Sequence, residues 1–400
     1  MIRIATASAA ALACVLAPQT PGAAQSGLPL PRSMNPVRIK VTPMASGDLV
    51  LLWNNGTVTC DSGVVEAAEW VAPHLQFSKK ELSKYPVTVG FAIDEKGRAV
   101  DIRVLEGGYV AGKLEASLDP EKNTLKLSAD KLLESLSVRD LMPSLRASRF
   151  AMDAPQTGCR VTYAPEYVAT ADLPRSELAR IAAVPGIKIG SSQHDQLAEG
   201  DCNTVGWPAY SLRAYPDWRA ITARDGARKW NWIGFDIDEE GVPINVTVIA
   251  SSGHDDLDRE SLRAISQNRF AEGKRAGCAT PWWRNPGVIP APPLPEDSTF
   301  REYQDCSAHR QWAVAPKLTF PQSYNERAIE GWAVLGFDIG ADGAISNITV
   351  LSAQPSEEFG AAGKAVLQSA SFERDDEAQT RCIERVRFAI SKPKSAAPES

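Results

Sequence analysis

This 400-residue sequence predicts an α+β architecture of three tandem modules, each a three-stranded antiparallel sheet with two helices. Three observations predict it. A strand–turn–strand pattern recurs three times: Val87 to Val104, Trp232 to Val248 and Val334 to Val350. A later phenylalanine follows each Gly-Phe pair, 36 residues on in two copies (Gly234 to Phe270, Gly336 to Phe372) and 60 on in the first (Gly90 to Phe150). One cysteine pair brackets each copy, and Cys202 to Cys278 and Cys306 to Cys382 are both separations of 76 residues.

Within a copy, Val89/Phe91/Ile93, Ile233/Phe235/Ile237 and Leu335/Phe337/Ile339 alternate apolar with polar or small residues, the period of a half-buried strand. Val100/Ile102/Val104, Ile244/Val246/Val248 and Ile348/Val350 repeat the pattern on a second strand. Between the two lie short turns ending in Gly97, Gly241 and Gly343, where glycine supplies the positive φ of a hairpin. Asp255 or Asp256 offers an N-cap for a helix over Leu257 to Phe270, with its counterpart over Phe359 to Phe372. A third strand is expected from each repeat's second cysteine. Upstream, Tyr215-Pro216 and Phe320-Pro321 place proline at a first helical turn, where its missing N–H costs nothing.

Composition narrows the functional classes. Lys+Arg 43 against Asp+Glu 49 leaves a net charge of −6, with no basic surplus to neutralise a nucleic-acid backbone. Four scattered histidines argue against a multi-histidine metal site, and no cofactor motif occurs. Met1-Ile2-Arg3, an apolar run from Ile4 to Ala17 and the small-residue site Gly22-Ala23-Ala24 read as a signal peptide over 1–24. Leu12 stands one place off the usual lipobox, which disfavours a lipoprotein anchor at Cys14. No later stretch is apolar for long enough to span a bilayer. The expected product is exported and periplasmic, where six remaining cysteines favour disulfides. The most economical pairing is one per repeat: Cys60–Cys159, Cys202–Cys278 and Cys306–Cys382.

These residues resemble the C-terminal domain of TonB, the periplasmic energy transducer of Gram-negative envelopes. The second copy carries Tyr215-Pro216, Phe235 to Gly241, the turn Ser251 to Asp258, and Phe270. The third keeps Phe320-Pro321, the hairpin and Phe372; the first has Phe77-Ser78 and an insertion of 24 residues, and is the most divergent. The expected boundaries are modules at 34–170, 196–285 and 300–392, a linker at 171–195, a Pro-rich linker at 286–299 and a disordered tail at 393–400.

The resemblance implies binding to outer-membrane transporters or other envelope proteins, whose extended segments add to a sheet edge. Force transduction would need a membrane anchor and a long spacer that the sequence lacks. The alternative is a structural envelope module contacting peptidoglycan or a larger assembly. The preferred edge is the strand from Cys382 to Ser391, with Arg385, Arg387 and Phe388 as contacts. Trp230, Trp232, Trp282 and Trp283 are aromatic contact candidates that could equally cover a second core surface. Pro281 marks its strand as an edge, with Trp282-Trp283 where that strand should break up. Enzymatic function is not expected. Ser251, His254 and Asp255 offer a weak hydrolase reading without a nucleophile elbow, and Asp236 to Gly241 is a hairpin turn rather than a calcium loop.

Overall fold

A computed structural model describes residues 49–78, 81, 85–107, 117–119, 124–126, 138–151, 154–183, 197, 200–306 and 310–390. The expected signal peptide, Cys14 and the C-terminal tail lie outside the described residues, as does most of the insertion in the first copy. Everything described falls in one unit, Pro43–Ser400.

The first segment is built on β1 (Leu49–Asn55), β2 (Val58–Cys60), β3 (Gly63–Val65), β4 (Gln76–Ser78), β5 (Val87–Ile93), β6 (Ala99–Glu106) and β7 (Gln156–Ala169), with α1 (Leu141–Ala147) ahead of β7. The second has α2 (Arg175–Ala182), α3 (Asp201–Thr204), β8 (Lys229–Ile237), β9 (Pro243–Ser251), α4 (Asp255–Gln267) and β10 (Arg275–Arg284). The third has α5 (Gln322–Glu326), β11 (Gly331–Ile339), β12 (Ile345–Gln354), α6 (Glu357–Gln368) and β13 (Gln379–Phe388). The second and third sheets are three-stranded and antiparallel, in the orders β9-β8-β10 and β12-β11-β13. The first sheet is larger than expected. β7 pairs with β5 on one side and with β1 and β2 on the other, making seven strands.

The Gly-Phe spacing has a local cause. Gly97, Gly241 and Gly343 have φ of 70°, 80° and 83°, and each accepts the N–H of a distant phenylalanine: Phe150, Phe270 and Phe372, at 2.9, 2.9 and 3.0 Å. A Cβ on any of the three would stand within 2.5 Å of that phenylalanine's carbonyl oxygen. The rings then pack on the hairpin phenylalanines, Phe91–Phe150, Phe235–Phe270 and Phe337–Phe372, with centroids 5.7, 6.0 and 6.3 Å apart. Phe270 and Phe372 therefore do not end helices. They lie in two-residue strands after α4 and α6, paired with Tyr210–Leu212 and Trp312–Val314. Gly241→Ala is expected to destabilise the protein by about 1–2 kcal/mol from the left-handed backbone alone, more with the carbonyl clash, as read by urea unfolding.

Other elements depart from expectation. No helix follows Pro216: the Asp217 carboxylate accepts the Arg219 N–H and its carbonyl the Ala220 N–H, a turn that competes with helix nucleation. Pro321 precedes the five-residue α5 instead of entering it. β10 and β13 start three residues before their cysteines, and β10 runs through Trp282 and Trp283 to Arg284.

The described residues of both expected linkers pack against the sheets. In 171–195, α2 buries Leu178, Ala179 and Ile181, and Ala179 O accepts the Trp232 indole N–H at 3.0 Å. In 286–299, Ile289 is buried and pairs with Ile329, and Pro292 O accepts the Trp332 indole N–H at 2.8 Å. Proline forbids helix there, yet an extended chain with apolar side chains packs well along a sheet.

The segments are fused by their cores and by buried arginines. One hydrophobic cluster joins Val89, Phe91, Ile102 and Leu145 of the first segment to Tyr324, Phe337, Phe359 and Phe388 of the third. Arg327 forms a buried ion pair with Asp140 and donates to Gly226 O and Ala72 O, touching all three segments. Arg98 donates to Ala147 O and Asp225. The free side of β6 abuts the start of α6: Ile102 N–H donates to Pro355 O at 2.9 Å and Val104 N–H to Glu357 Oε1 at 3.1 Å.

At that junction Glu358 is pushed up to about 8, from 4.5, by burial and then by the neighbouring Glu357 and Asp140. The unfolded chain releases this proton near pH 4.5 while the folded chain holds it to about 8, so the contribution favours folding at low pH and is lost across that window. Glu358→Gln is expected to flatten the fall in stability between those pH values, measured by denaturant midpoints; an unchanged pH profile would count against it.

Candidate partner-binding edge

Three strands occupy equivalent places: β7, β10 and β13 carry Cys159, Cys278 and Cys382 opposite Phe91, Phe235 and Phe337. Each cysteine is disulfide-bonded, Cys159 to Cys60, Cys278 to Cys202 and Cys382 to Cys306. What differs is the treatment of the strand's outer side.

On β13 the alternation of the strand fixes which backbone groups face outward. Ile383 N–H donates to Gln304 O at 2.9 Å, and Gln304 N–H donates to Arg381 O at 2.8 Å, so a single residue of chain closes the start of the edge. Arg385 and Arg387, two and four places on, turn their main chains to the same side. The Arg385 N–H donates to Glu384 Oε1 at 3.1 Å, and beyond the strand Ile390 N–H donates to Glu330 Oε1 at 2.9 Å. The main chain around Arg387 lies between these closures, and its side chain is exposed. Phe388 is not a contact residue: it is fully buried, 5.3 Å from Phe359 and 5.7 Å from Phe320 between ring centroids.

On β10 the position of Arg385 is taken by Pro281, opposite Trp232, which removes an outward donor. Asp201 Oδ2 accepts the Ala276 N–H at the start of the same strand. On β7 the chain fills the edge itself. Gly56 N–H donates to Thr162 O at 2.8 Å, Thr59 pairs with Arg160, and β1 runs antiparallel from Asn55 opposite Tyr163 to Leu49 opposite Ala169.

The tryptophans do not form one surface. Trp232 is 2% exposed, and it and Trp230 pack beneath α2 on the face opposite α4. A side chain sealed under a helix offers no docking contact. Trp282 packs into the α4-side core, 6.1 Å from both Tyr215 and Trp218. Of these four, Trp283, 37% exposed, stands in the open. Ser251 and His254 serve local structure, Ser251 Oγ accepting the Gly253 N–H at 3.0 Å and His254 O the Asp258 N–H at 3.1 Å. Asp238 closes its hairpin by accepting the Val242 N–H at 2.7 Å.

Sequence reading missed Gln304, Glu384 and Glu330 as edge closures. A glutamine ahead of a cysteine carries no signal of its own, and the acids read as solvated charge.

No curated protein matches the chain. Among the described residues no helix is long and apolar enough to cross a membrane. The family described as Gram-negative bacterial TonB protein C-terminal matches residues 228–284 and 316–390, the stretches holding β8 to β10 and α5 to β13. Domains of this family mediate protein interactions in the cell envelope. Each of these two segments is similar to the TonB C-terminal domain family.

Proposed function

We propose that this is a periplasmic binding protein of three divergent TonB C-terminal-like copies. It takes an extended segment of an outer-membrane transporter or other envelope protein onto the outer side of β13 by strand addition. It is a binding protein rather than an enzyme, and the reading assigns it no force transduction. The family match supports the second and third copies. The first is supported by the shared Gly97–Phe150 contact and by its own disulfide. The disulfides suit an oxidising compartment.

The observation that carries the binding reading is the outward main chain at Arg387, on a sheet edge whose counterpart in the first segment already holds an added strand, β1. Strand addition there draws on main-chain hydrogen bonds, so it tolerates varied side chains in the ligand. Arg387→Pro removes a donor that the β11 ladder does not use and leaves the sheet intact. The oxidised protein is expected to capture β-barrel transporters from detergent-solubilised outer membrane, with Arg387→Pro losing most of the capture. Equal capture by the variant, or recovery of sacculi and no membrane protein, would overturn the reading.

A further inference from the structure

The second and third sheets present the same polar pattern on the face away from α4 and α6. Asn245 Nδ2 donates to Asp236 Oδ2 at 2.8 Å, and Asn347 Nδ2 to Asp338 Oδ2 at 2.7 Å. Thr247 and Thr349 sit opposite Gly234 and Gly336. In the third segment an aromatic ring covers this place: a Cβ on Gly336 would stand 2.6 Å from Tyr303 Cε1. Tyr303 packs there with Ile383, Val334 and Leu351.

In the second segment no ring among the described residues covers Gly234. The residue three before its first cysteine is Glu199, where the third has Tyr303 three before Cys306. Across the strand, Ala279 replaces Ile383 opposite the glycine, and Gly277 stands one place before the cysteine where the third segment has Arg381. Ile249 bends over Gly234, and beside it remains a cleft of about 290 Å³, lined by Asp236, Asn245, Thr247, Ala279 and Arg175. A ring and two larger side chains are missing from a site whose polar frame is kept.

We infer that this cleft binds a tyrosine-like side chain of a bound peptide, in the role that Tyr303 plays within the third segment. The inference rests on the protein-binding reading above, because Tyr303 is itself carried on a main chain that lies against a sheet edge. The apolar wall of Ile249, Gly277, Ala279 and Leu197 takes the ring, and the rim of Asp236, Asn245, Thr247 and Arg175, whose Nη2 also donates to Leu197 O, offers donors and acceptors to a phenol hydroxyl and the flanking peptide group.

The probes are N-acetyltyrosine amide and p-cresol, titrated into the oxidised protein and followed by amide shifts in the NMR spectrum. Binding in the millimolar range is expected for one ring, with shifts at Gly234, Thr247 and Ala279. Ala279→Ile brings to the cleft the side chain that the third segment carries; with its fold verified by circular dichroism, it should weaken N-acetyltyrosine amide at least tenfold. Arg387→Pro should leave this binding unchanged, which separates failure here from failure of the strand-addition reading. No shifts at saturation, shifts unaltered by Ala279→Ile, or binding of p-cresol without the amide would each overturn the inference, the last by pointing to a free small phenol.

Discussion

Arg327→Met should lower the stability of the whole described unit by about 3–5 kcal/mol, the usual cost of stranding one partner of a buried ion pair. Arg327 is 2% exposed and its guanidinium donates through all three nitrogens. It donates through Nε to Asp140 Oδ1 at 2.6 Å and through Nη2 to Oδ2, and its remaining donors reach Gly226 O and Ala72 O. Removing it leaves Asp140 charged inside the protein with His74 beside it, the main-chain N–H at 2.6 Å and the ring Nδ1 at 3.4 Å. Two backbone carbonyls lose their donor as well. Burial alone would raise the Asp140 carboxyl; Arg327 is the main reason that it is instead held below the ordinary carboxylate range. The paired change Arg327→Met with Asp140→Leu should recover much of the loss, since it removes both charges together. Urea unfolding followed by tryptophan fluorescence and by circular dichroism tests both. The midpoints should move together, because this one side chain touches all three segments; a variant that unfolds at the parent midpoint would refute the account.

The parts of this protein that sequence made legible are those with short-range causes. The hairpins follow from alternation over a few residues, and Gly97, Gly241 and Gly343 announce a positive φ that the structure contains. The later phenylalanine was legible as a marker but not as an element. A helix pattern running up to Phe270 gives no warning that Asn268 turns extended and that Arg269–Phe270 pairs with Tyr210–Leu212. Beyond the three disulfides, which the cysteine spacing announced, long-range order was not legible. Asp140 and Arg327 are 187 residues apart and look like surface charges until the fold brings them together. The Pro-rich run around Ile289 reads as a spacer because proline excludes helix, though it equally permits the extended chain that packs against Ile329 and Trp332. The candidate edge was half legible. The free side of β13 followed from strand order, whereas the buried Phe388 and the closures by Gln304 and Glu330 depend on chain that arrives from elsewhere.

Replacing Cys306 and Cys382 together by alanine should cost about 4 kcal/mol in the chain-entropy account, because the bond closes a loop of 76 residues in the unfolded chain. Both cysteines are buried, at 2% and 0% exposure, in the cluster shared by the first and third segments, and alanine leaves only a sulfur-sized gap. The local consequence is more informative than the global one. Gln304 reaches the β13 edge only two residues before Cys306, so the disulfide holds the strap that closes the Arg381–Ile383 end. Without the bond the strap should loosen first. Amide exchange at Ile383, whose N–H donates to Gln304 O, should quicken well before that at Val386, which faces the core on the same strand. A longer outer edge would then be open, and capture of an added strand should strengthen even as the protein becomes less stable. The matched change at Cys60 and Cys159 closes a loop of 99 residues, similar in entropy, but should leave capture at β13 unaltered. If both pairs of substitutions change capture alike, the disulfides act only through global stability and the strap has no part in closing the edge.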